Sequence, residues 1–308
     1  MHRNDRQRNR QTGIVAALAG LLPGVGMALL PGLATAGEQA PGLVVIGATA
    51  KSSTEIIRQA LAAGYTVTGV ARRPEDVALK DVALKDPHLK IRKGDVYDLA
   101  SLEAAMTGTG VVVSMVGPRV DPTDTAETPA TFDLYTAGTA NIIAAMQKKG
   151  NRRLLVASSL GVEDEFPLVK PAPGDFRLNW LWKFRYLYPN MKDMEGLVRA
   201  SGLEYVIFRP PFLVEEPTRK NYQLSVNTSS PKGTMLSYAD FGAFVLEQAR
   251  SNKYLGAAVG LYTNQQLQFG KNGFEKLAKE AKEAKEAKEK LPHVLQRYLR
   301  PGREPLFW

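Results

Sequence analysis

Between residues 42 and 210, short runs, most with an apolar centre, alternate with segments whose apolar residues recur every three or four positions. The runs are "LVVIG" (43–47), "YTVTGVA" (65–71), "LKIRKGDV" (89–96), "GVVVSMVG" (110–117), "RRLLVASS" (152–159) and "LEYVIFRP" (203–210). Each is too short for a helix, and most are rich in β-branched residues, as strands buried on both faces require. The segments between them read as helices: "SSTEIIRQALAAG" (52–64), with serines to start it and a glycine to stop it, "SLEAAM" (101–106), "ATFDLYTAGTANIIAAMQKKG" (130–150) and "MKDMEGLVRASG" (191–202). Strands separated by helices at this spacing predict an α/β fold, a Rossmann-like doubly wound parallel sheet with helices on both faces. In such sheets ligands bind beyond the carboxyl ends of the strands.

The flanks follow different patterns. Residues 1–36 run from a polar, basic start through the apolar "TGIVAALAGLLPGVGMALLPGL" to "ATA" before Gly37. That order is the grammar of a secretory signal peptide cleaved after Ala36, which would place the chain in a bacterial periplasm. The alternative is an uncleaved membrane anchor, although Pro23, Gly24, Gly26 and Pro31 weaken a spanning helix. No Arg-Arg pair precedes the apolar run, so a twin-arginine signal is not visible. At the other end, "FEKLAKEAKEAKEAKEKL" repeats Ala-Lys-Glu every third residue. Three helical steps turn about 300°, so the alanines spiral and build no single apolar face. Lys279/Glu283, Lys282/Glu286 and Lys285/Glu289 support a solvated, charged helical extension over 266–308. Its last residues carry enough apolar side chains to touch a membrane surface or an unidentified protein partner. The core domain is expected over 37–265. Within it, the tandem "DVALKDVALKD" (76–86) reads as a slipped duplication at the surface.

Composition narrows the chemistry. The 308 residues contain no cysteine, which excludes disulfides, thiol catalysis and Cys-ligated metal. The three histidines, His2, His88 and His293, are far apart, so a His-based metal site or a Ser-His-Asp triad is not expected. The formal charge is +9, but the basic residues are spread and no base-reading motif accompanies them. No specific nucleic-acid partner is predicted.

Candidate chemistry begins at the first strand–helix turn, "GATAKSS". In a dinucleotide-binding loop one glycine makes the tight turn, a second lets the backbone approach the pyrophosphate, and a third lets the helix pack on the strand. Gly47 keeps the first role; Ala50 and Ser53 occupy the other two positions, both small, with Ser53 able to cap the helix. Thr49, Lys51 and Ser52 complete the loop. After strand two, Arg72 and Arg73 stand where acidic residues would receive the ribose of NAD, which predicts NADP(H) in preference to NAD(H). Asp95 and Val96 are placed to edge the adenine, and Val116 and Gly117 to flank the pyrophosphate.

"VVIGATA…EIIRQALAAGYTVTGVARRPE", "KGDVYDLASLEAAMTGTGVVVSMVG", "GTANIIAAMQKKG", "RLLVASSLGV" and "MEGLVRASGLEYVIFRPPFL" together resemble the atypical short-chain dehydrogenase/reductases, the NmrA-like relatives with a "GATGxxG" loop. Within them the chain looks closest to the NADPH-dependent flavin/biliverdin reductase group, whose ending the segment 221–261 also fits. The resemblance implies a Rossmann fold, NADP(H) and hydride transfer, over roughly residues 42–263.

Hydride transfer needs the nicotinamide held against an acceptor, often beside a proton source. Ser158 and Ser159 end strand five where both could be touched, Ser158 as a cofactor contact and Ser159, by resemblance, as the reductases' serine. "YPNMK" supplies Tyr188 and Lys192 one helical turn apart, the spacing at which an ammonium could lower a phenol's pKa. Pro189 inside the motif suggests that the helix begins only there, and the flavin/biliverdin reductases lack the pair. Trp180, Trp182, Phe184, Tyr186 and Tyr188 alternate between Ser159 and that helix, forming either a lid over a planar acceptor or a flap packed on the core. Pro211 and Phe212 would line the same mouth with Trp182. Asn141 is expected to bridge helix and sheet. The expected activity is reduction of a small planar conjugated acceptor of flavin, quinone or tetrapyrrole type. The alternative is a non-catalytic NADP-binding redox sensor or assembly protein.

Overall fold

The computed structural model describes residues 41–263 apart from 84, 109, 119–130, 165–181, 183 and 229–234. The N-terminal segment, the Ala-Lys-Glu extension, Trp180, His2 and His293 lie outside the described residues.

Six strands and all four helices form where periodicity puts them, with shifted ends. They are β1 (Gly42–Ile46), α1 (Lys51–Ala62), β2 (Thr66–Ala71), β3 (Leu89–Lys93), α3 (Leu99–Ala105), β4 (Val111–Ser114), α4 (Leu134–Lys149), β5 (Arg153–Ala157), α5 (Leu187–Ala200) and β6 (Glu204–Arg209). One further short helix, α2 (Lys80–Ala83), lies inside the tandem duplication. Helix α3 starts two residues before the expected Ser101 because Asp98 is its N-cap, accepting from Ser101 N. Helix α5 starts at Leu187, ahead of Pro189. The proline sits in the first turn, where its missing N–H has no helical partner to lose.

The sheet runs β3-β2-β1-β4-β5-β6 in parallel. The chain crosses its own starting strand between β1 and β4, which defines a switch point for ligand binding. Beyond β6 the chain adds elements that the apolar pattern did not predict: β7 (Phe212–Val214), β8 (Gln223–Val226), β9 (Met235–Ser237), α6 (Tyr238–Arg250) and β10 (Ala257–Tyr262). Strand β10 extends the main sheet in parallel, β8 closes its edge antiparallel, and β7 pairs with β9 in a separate ribbon.

Two cores lie on opposite faces of the sheet, which is the doubly wound arrangement. Leu43 and Val45 of β1, Leu155 of β5, and Val206 and Phe208 of β6 pack under α1 and α6. Their neighbours Val44, Ile46, Leu154, Val156 and Ile207 pack under α3, α4 and α5. Period-2 alternation thus feeds both cores from the same strands. Phe208, fully buried and edge-on to Phe241 and Phe244, anchors the first core. Its replacement by alanine would cost about 3–5 kcal/mol.

Candidate functional site

Gly47 leaves β1 with φ +82°, and a Cβ there would sit 2.6 Å from the Met115 carbonyl oxygen. Only glycine makes this turn against β4. Ala50 is the N-cap of α1 and makes no side-chain capping bond, so the first-turn N–H groups of the helix remain available to an anion. Ser53 is fully buried and donates to the Gly47 carbonyl (2.8 Å). It staples the loop instead of capping the helix, so Ser53 does not face a phosphate. Helix packing at the third position is met by a hydroxyl that finds its partner inside the turn.

These elements open a cleft of about 310 Å³ beyond the carboxyl ends of β1–β4. Of the residues expected to hold a cofactor, Gly47, Thr49, Ala50, Arg72, Val96, Val116 and Gly117 line it, joined by Met115, Asp76 and Leu134, which sequence reasoning missed. Asp76 was legible only as the partner that the Pro74 turn brings to Arg73: the two are bound at 2.8 Å. Arg72 makes no ion pair among the described residues. Asp95 does not edge the cleft. Its carboxylate accepts from Tyr97 N (3.0 Å) in a turn of its own, and Ser101 Oγ accepts from its N–H (2.9 Å). Tyr97 donates to Asp133 (2.9 Å), bracing the rim between Val96 and Leu134. Asn141 Nδ2 donates to the Val96 carbonyl (2.8 Å) and so bridges helix and sheet as expected. Lys51 leans away to Glu215, past β7 (2.6 Å), and Ser52 lies in the first turn of α1, outside the cleft lining. The cradle fits a dinucleotide: a glycine turn, an uncapped helix start, an apolar floor and one cation.

The other half of the site is built by side chains that hold one another. Ser158 is buried and donates to Glu195 of α5 (2.7 Å). Glu195 in turn accepts both arms of Arg209 at the end of β6 (2.8 and 2.6 Å), and Arg199 joins it at 3.1 Å. Arg209 also reaches Glu163 (2.6 Å), and Lys192 lies 3.7 Å from the same carboxylate. Burial opposes the Arg209 charge, but the two glutamates more than offset this and raise its pKa. Ser158 is therefore committed to a buried ion pair and lies outside the cleft lining. A charged residue closing the apolar run "EYVIF" was the signal for this network, and it needed the three-dimensional partner to be read.

Ser159, Tyr188 and Lys192 do come together, around the 3-10 turn Leu160–Glu163. Ser159 caps that turn, accepting from Gly161 N (3.2 Å). The Tyr188 ring lies over Gly161, where a Cβ would fall 2.3 Å from it. Lys192 approaches Glu163 from the next turn of α5. The aromatic segment splits. Phe184 is buried and stacks on Tyr188 at 4.8 Å, while Arg185 lies between the Trp182 and Tyr186 rings at 4.0 and 4.1 Å. Phe184 and Tyr188 thus pack on the core, while Trp182 and Tyr186 hold Arg185. Pro211, half-buried, precedes β7, and Phe212 opens β7, its backbone paired with Met235. Among the described residues no group of acidic or histidine side chains could hold a metal, and no helix is long and apolar enough to cross a membrane.

Fold and cradle define a dinucleotide-binding α/β protein. Residues 47–252 match the NAD(P)H-binding family, and the chain belongs to it. It is 30% identical over 203 residues to a cinnamoyl-CoA reductase 1 of Petunia hybrida, covering 60% of this chain and 57% of that protein. It therefore spans just over half the length of that relative. Among solved structures, the anaerobillin reductase ChuY of Escherichia coli O157:H7 superposes with a TM-score of 0.58 at 20% identity, covering 73% of this chain and 98% of the other. A short-chain dehydrogenase/reductase of Veillonella parvula in complex with NADP superposes at 0.56 and 17% identity, covering 73% and 95%. At these identities the two structures speak for the fold.

Proposed function

We propose that the chain is an NADP(H)-preferring oxidoreductase that passes a hydride to a small planar conjugated acceptor of flavin, quinone or tetrapyrrole type. The observation that carries the cofactor preference is Arg72, which lines the cleft without an ion pair while Arg73 is held by Asp76. A bidentate guanidinium at the end of β2 suits a 2′-phosphate and gives nothing comparable to a 2′-hydroxyl. The bound dinucleotide would supply the hydride. Gly47, Ala50 and the start of α1 would seat its pyrophosphate, and Gly117 its nicotinamide side. Ser159 and Tyr188, facing the turn at Gly161, are the groups from which an acceptor's oxygen or nitrogen could receive a hydrogen bond or proton. The acceptor class rests on the resemblance to the flavin/biliverdin reductases and on the likeness to ChuY.

A second reading has its own support. Lys192 leans to Glu163 and Ser158 is spent on Glu195, so the acceptor half is committed to structure. That favours a protein that binds NADP to sense redox state or assist assembly without turnover. Export remains part of the proposal through the pattern of residues 1–36; the cofactor would then travel with the protein or have gone out of use, whereas a membrane anchor would leave the domain inside.

Calorimetric titration of the full chain with NADPH and NADH tests the reading. Tight NADPH and weak NADH are expected, with the preference lost in Arg72→Glu and largely kept in Arg73→Ala. Absence of binding by either dinucleotide would sink it. NADPH oxidation in the presence of FMN, menadione or biliverdin then separates the two readings: turnover supports the reductase, and none with any acceptor supports the sensor.

A further inference from the structure

The first turn of α4 is capped from outside its own helix. Asp133, its N-cap, makes no capping bond and instead accepts from Tyr97. Asn190, buried on α5 between Tyr188 and Lys192, takes over. Its Oδ1 accepts from Tyr135 N (2.9 Å) and Thr136 N (3.3 Å), and its Nδ2 donates to Thr136 Oγ1 (2.8 Å). Two orphan helix donors are satisfied, and α4 is locked to the helix that carries Tyr188.

What this clamp positions is Tyr135. Its ring is 3% exposed and packs edge-on to Phe132 at 5.8 Å. Its hydroxyl lies 3.9 Å from the point where a Cβ of Gly117 would sit, and Gly117 lines the cleft beyond β4. Because residue 117 has no side chain, only its backbone stands between that hydroxyl and the cleft. Burial, and to a lesser degree the neighbouring Tyr188, push the Tyr135 phenol far above its ordinary range, so it is a neutral donor at any physiological pH. Along the sheet, adenosine belongs over β2 and β3, pyrophosphate over β1 at the switch point, and the second ribose over β4.

We propose that Tyr135 is a binding residue that donates its hydroxyl hydrogen to the nicotinamide-side ribose, and that Asn190 is the positioning residue that holds it there. This rests on the dinucleotide reading above and adds a contact from the start of α4. The phenol also stands beside Tyr188, so the same hydroxyl ties the ribose to the acceptor side of the site.

The test compares ADP, which ends at the pyrophosphate, with ADP-ribose, NADPH and NADH, which carry the second ribose. Each is titrated calorimetrically into the full-length wild type, Tyr135→Phe and Asn190→Ala. Tyr135→Phe keeps the ring and should leave the melting temperature unchanged. It should weaken ADP-ribose and the tighter dinucleotide about 3- to 10-fold, the range of one neutral hydrogen bond, and leave ADP as it was. Asn190→Ala should show the same selective pattern; should it fail to fold, Tyr135→Phe decides. Equal binding of ADP-ribose by wild type and Tyr135→Phe, or an equal loss of ADP, overturns the assignment while leaving the dinucleotide reading intact. A wild type that binds none of the four overturns both.

Discussion

The two halves of the candidate site are made of different materials. On the adenosine side, over β1–β3, the surface is largely backbone and small side chains: Gly47, Ala50 and Gly94, with Arg72 as the one cation in the cleft lining. On the acceptor side, over β5 and β6, it is side chains bound to each other, from Ser158 through Glu195 and Arg209 to Glu163. The first half is a shape waiting for a ligand. The second is a buried network that holds α5 on the sheet.

The largest effect should come from breaking the network. Glu195→Ala strands Arg209 in the interior with only the half-exposed Glu163, and should cost about 3–5 kcal/mol in urea denaturation. Replacing both partners, Glu195→Leu with Arg209→Met, should recover most of that, because the penalty lies in the uncompensated charge. A loss below about 1 kcal/mol in the single variant would mean the acceptor half is not built on this pair. On the adenosine side the counterpart is Gly47→Ala. It forces a Cβ into the Met115 carbonyl at positive φ, and should lose roughly 1–3 kcal/mol and most dinucleotide affinity together. Unchanged titration curves would mean the turn does not form the cradle.

The same contrast explains what the sequence could say. The sheet, its helices and the phosphate loop were legible because apolar periodicity and glycine turns are local, set within a dozen residues. Gly47, Arg72, Val96 and Gly117 stand where strand ends put them. The acceptor half was less legible because its partners are distant along the chain. Ser158 meets Glu195 across 37 residues, and Asn190 meets Tyr135 across 55. Ser53 and Asp95 were misread for a related reason: a small polar side chain near a turn either faces a ligand or satisfies the turn, and only the acceptor it finds decides. Past β6, β7 and β9 have three residues each, too few for a period to show.

Asp240, at the start of α6 beside residues 218–220, sharpens the comparison from the other face of the sheet. Burial alone would raise its pKa. The Thr218 and Ser237 hydroxyls and the Arg219 and Lys220 backbone N–H groups overcome this and hold the carboxyl below its usual range. A carboxyl depressed on folding stabilises the protein above its unfolded pKa, near about 4, and loses that contribution as pH falls through the folded value. Asp240→Asn should therefore cost about 1–3 kcal/mol at pH 7, and the gap to wild type should narrow on acidification below about pH 4. Denaturant titrations at pH 7 and pH 3 that show a constant gap would contradict this. The loop substitutions rank next. Ser53→Gly restores the usual glycine pattern yet should destabilise by about 1 kcal/mol, losing the bond to the Gly47 carbonyl. Ala50→Gly should instead improve dinucleotide affinity a few-fold by removing a methyl from the approach. A stabilised Ser53→Gly would show that the staple is strained.

The smallest effect lies where the two halves touch. Lys51, first residue of α1, reaches over to Glu215 beyond β7 with both side chains largely exposed (70% and 56%), so the pair itself is worth little to stability. Its consequence is for ligand binding. A pyrophosphate arriving at the start of α1 would compete with the Glu215 carboxylate for the same ammonium, and would feel that carboxylate as a like charge. Glu215→Gln should thus tighten dinucleotide binding about two- to fivefold at low ionic strength, with the gain fading as salt screens it. Lys51→Met should abolish most of that gain. If Glu215→Gln binds NADPH no better than wild type at low salt, the two halves are electrostatically independent, and Lys51 belongs to the acceptor wall alone.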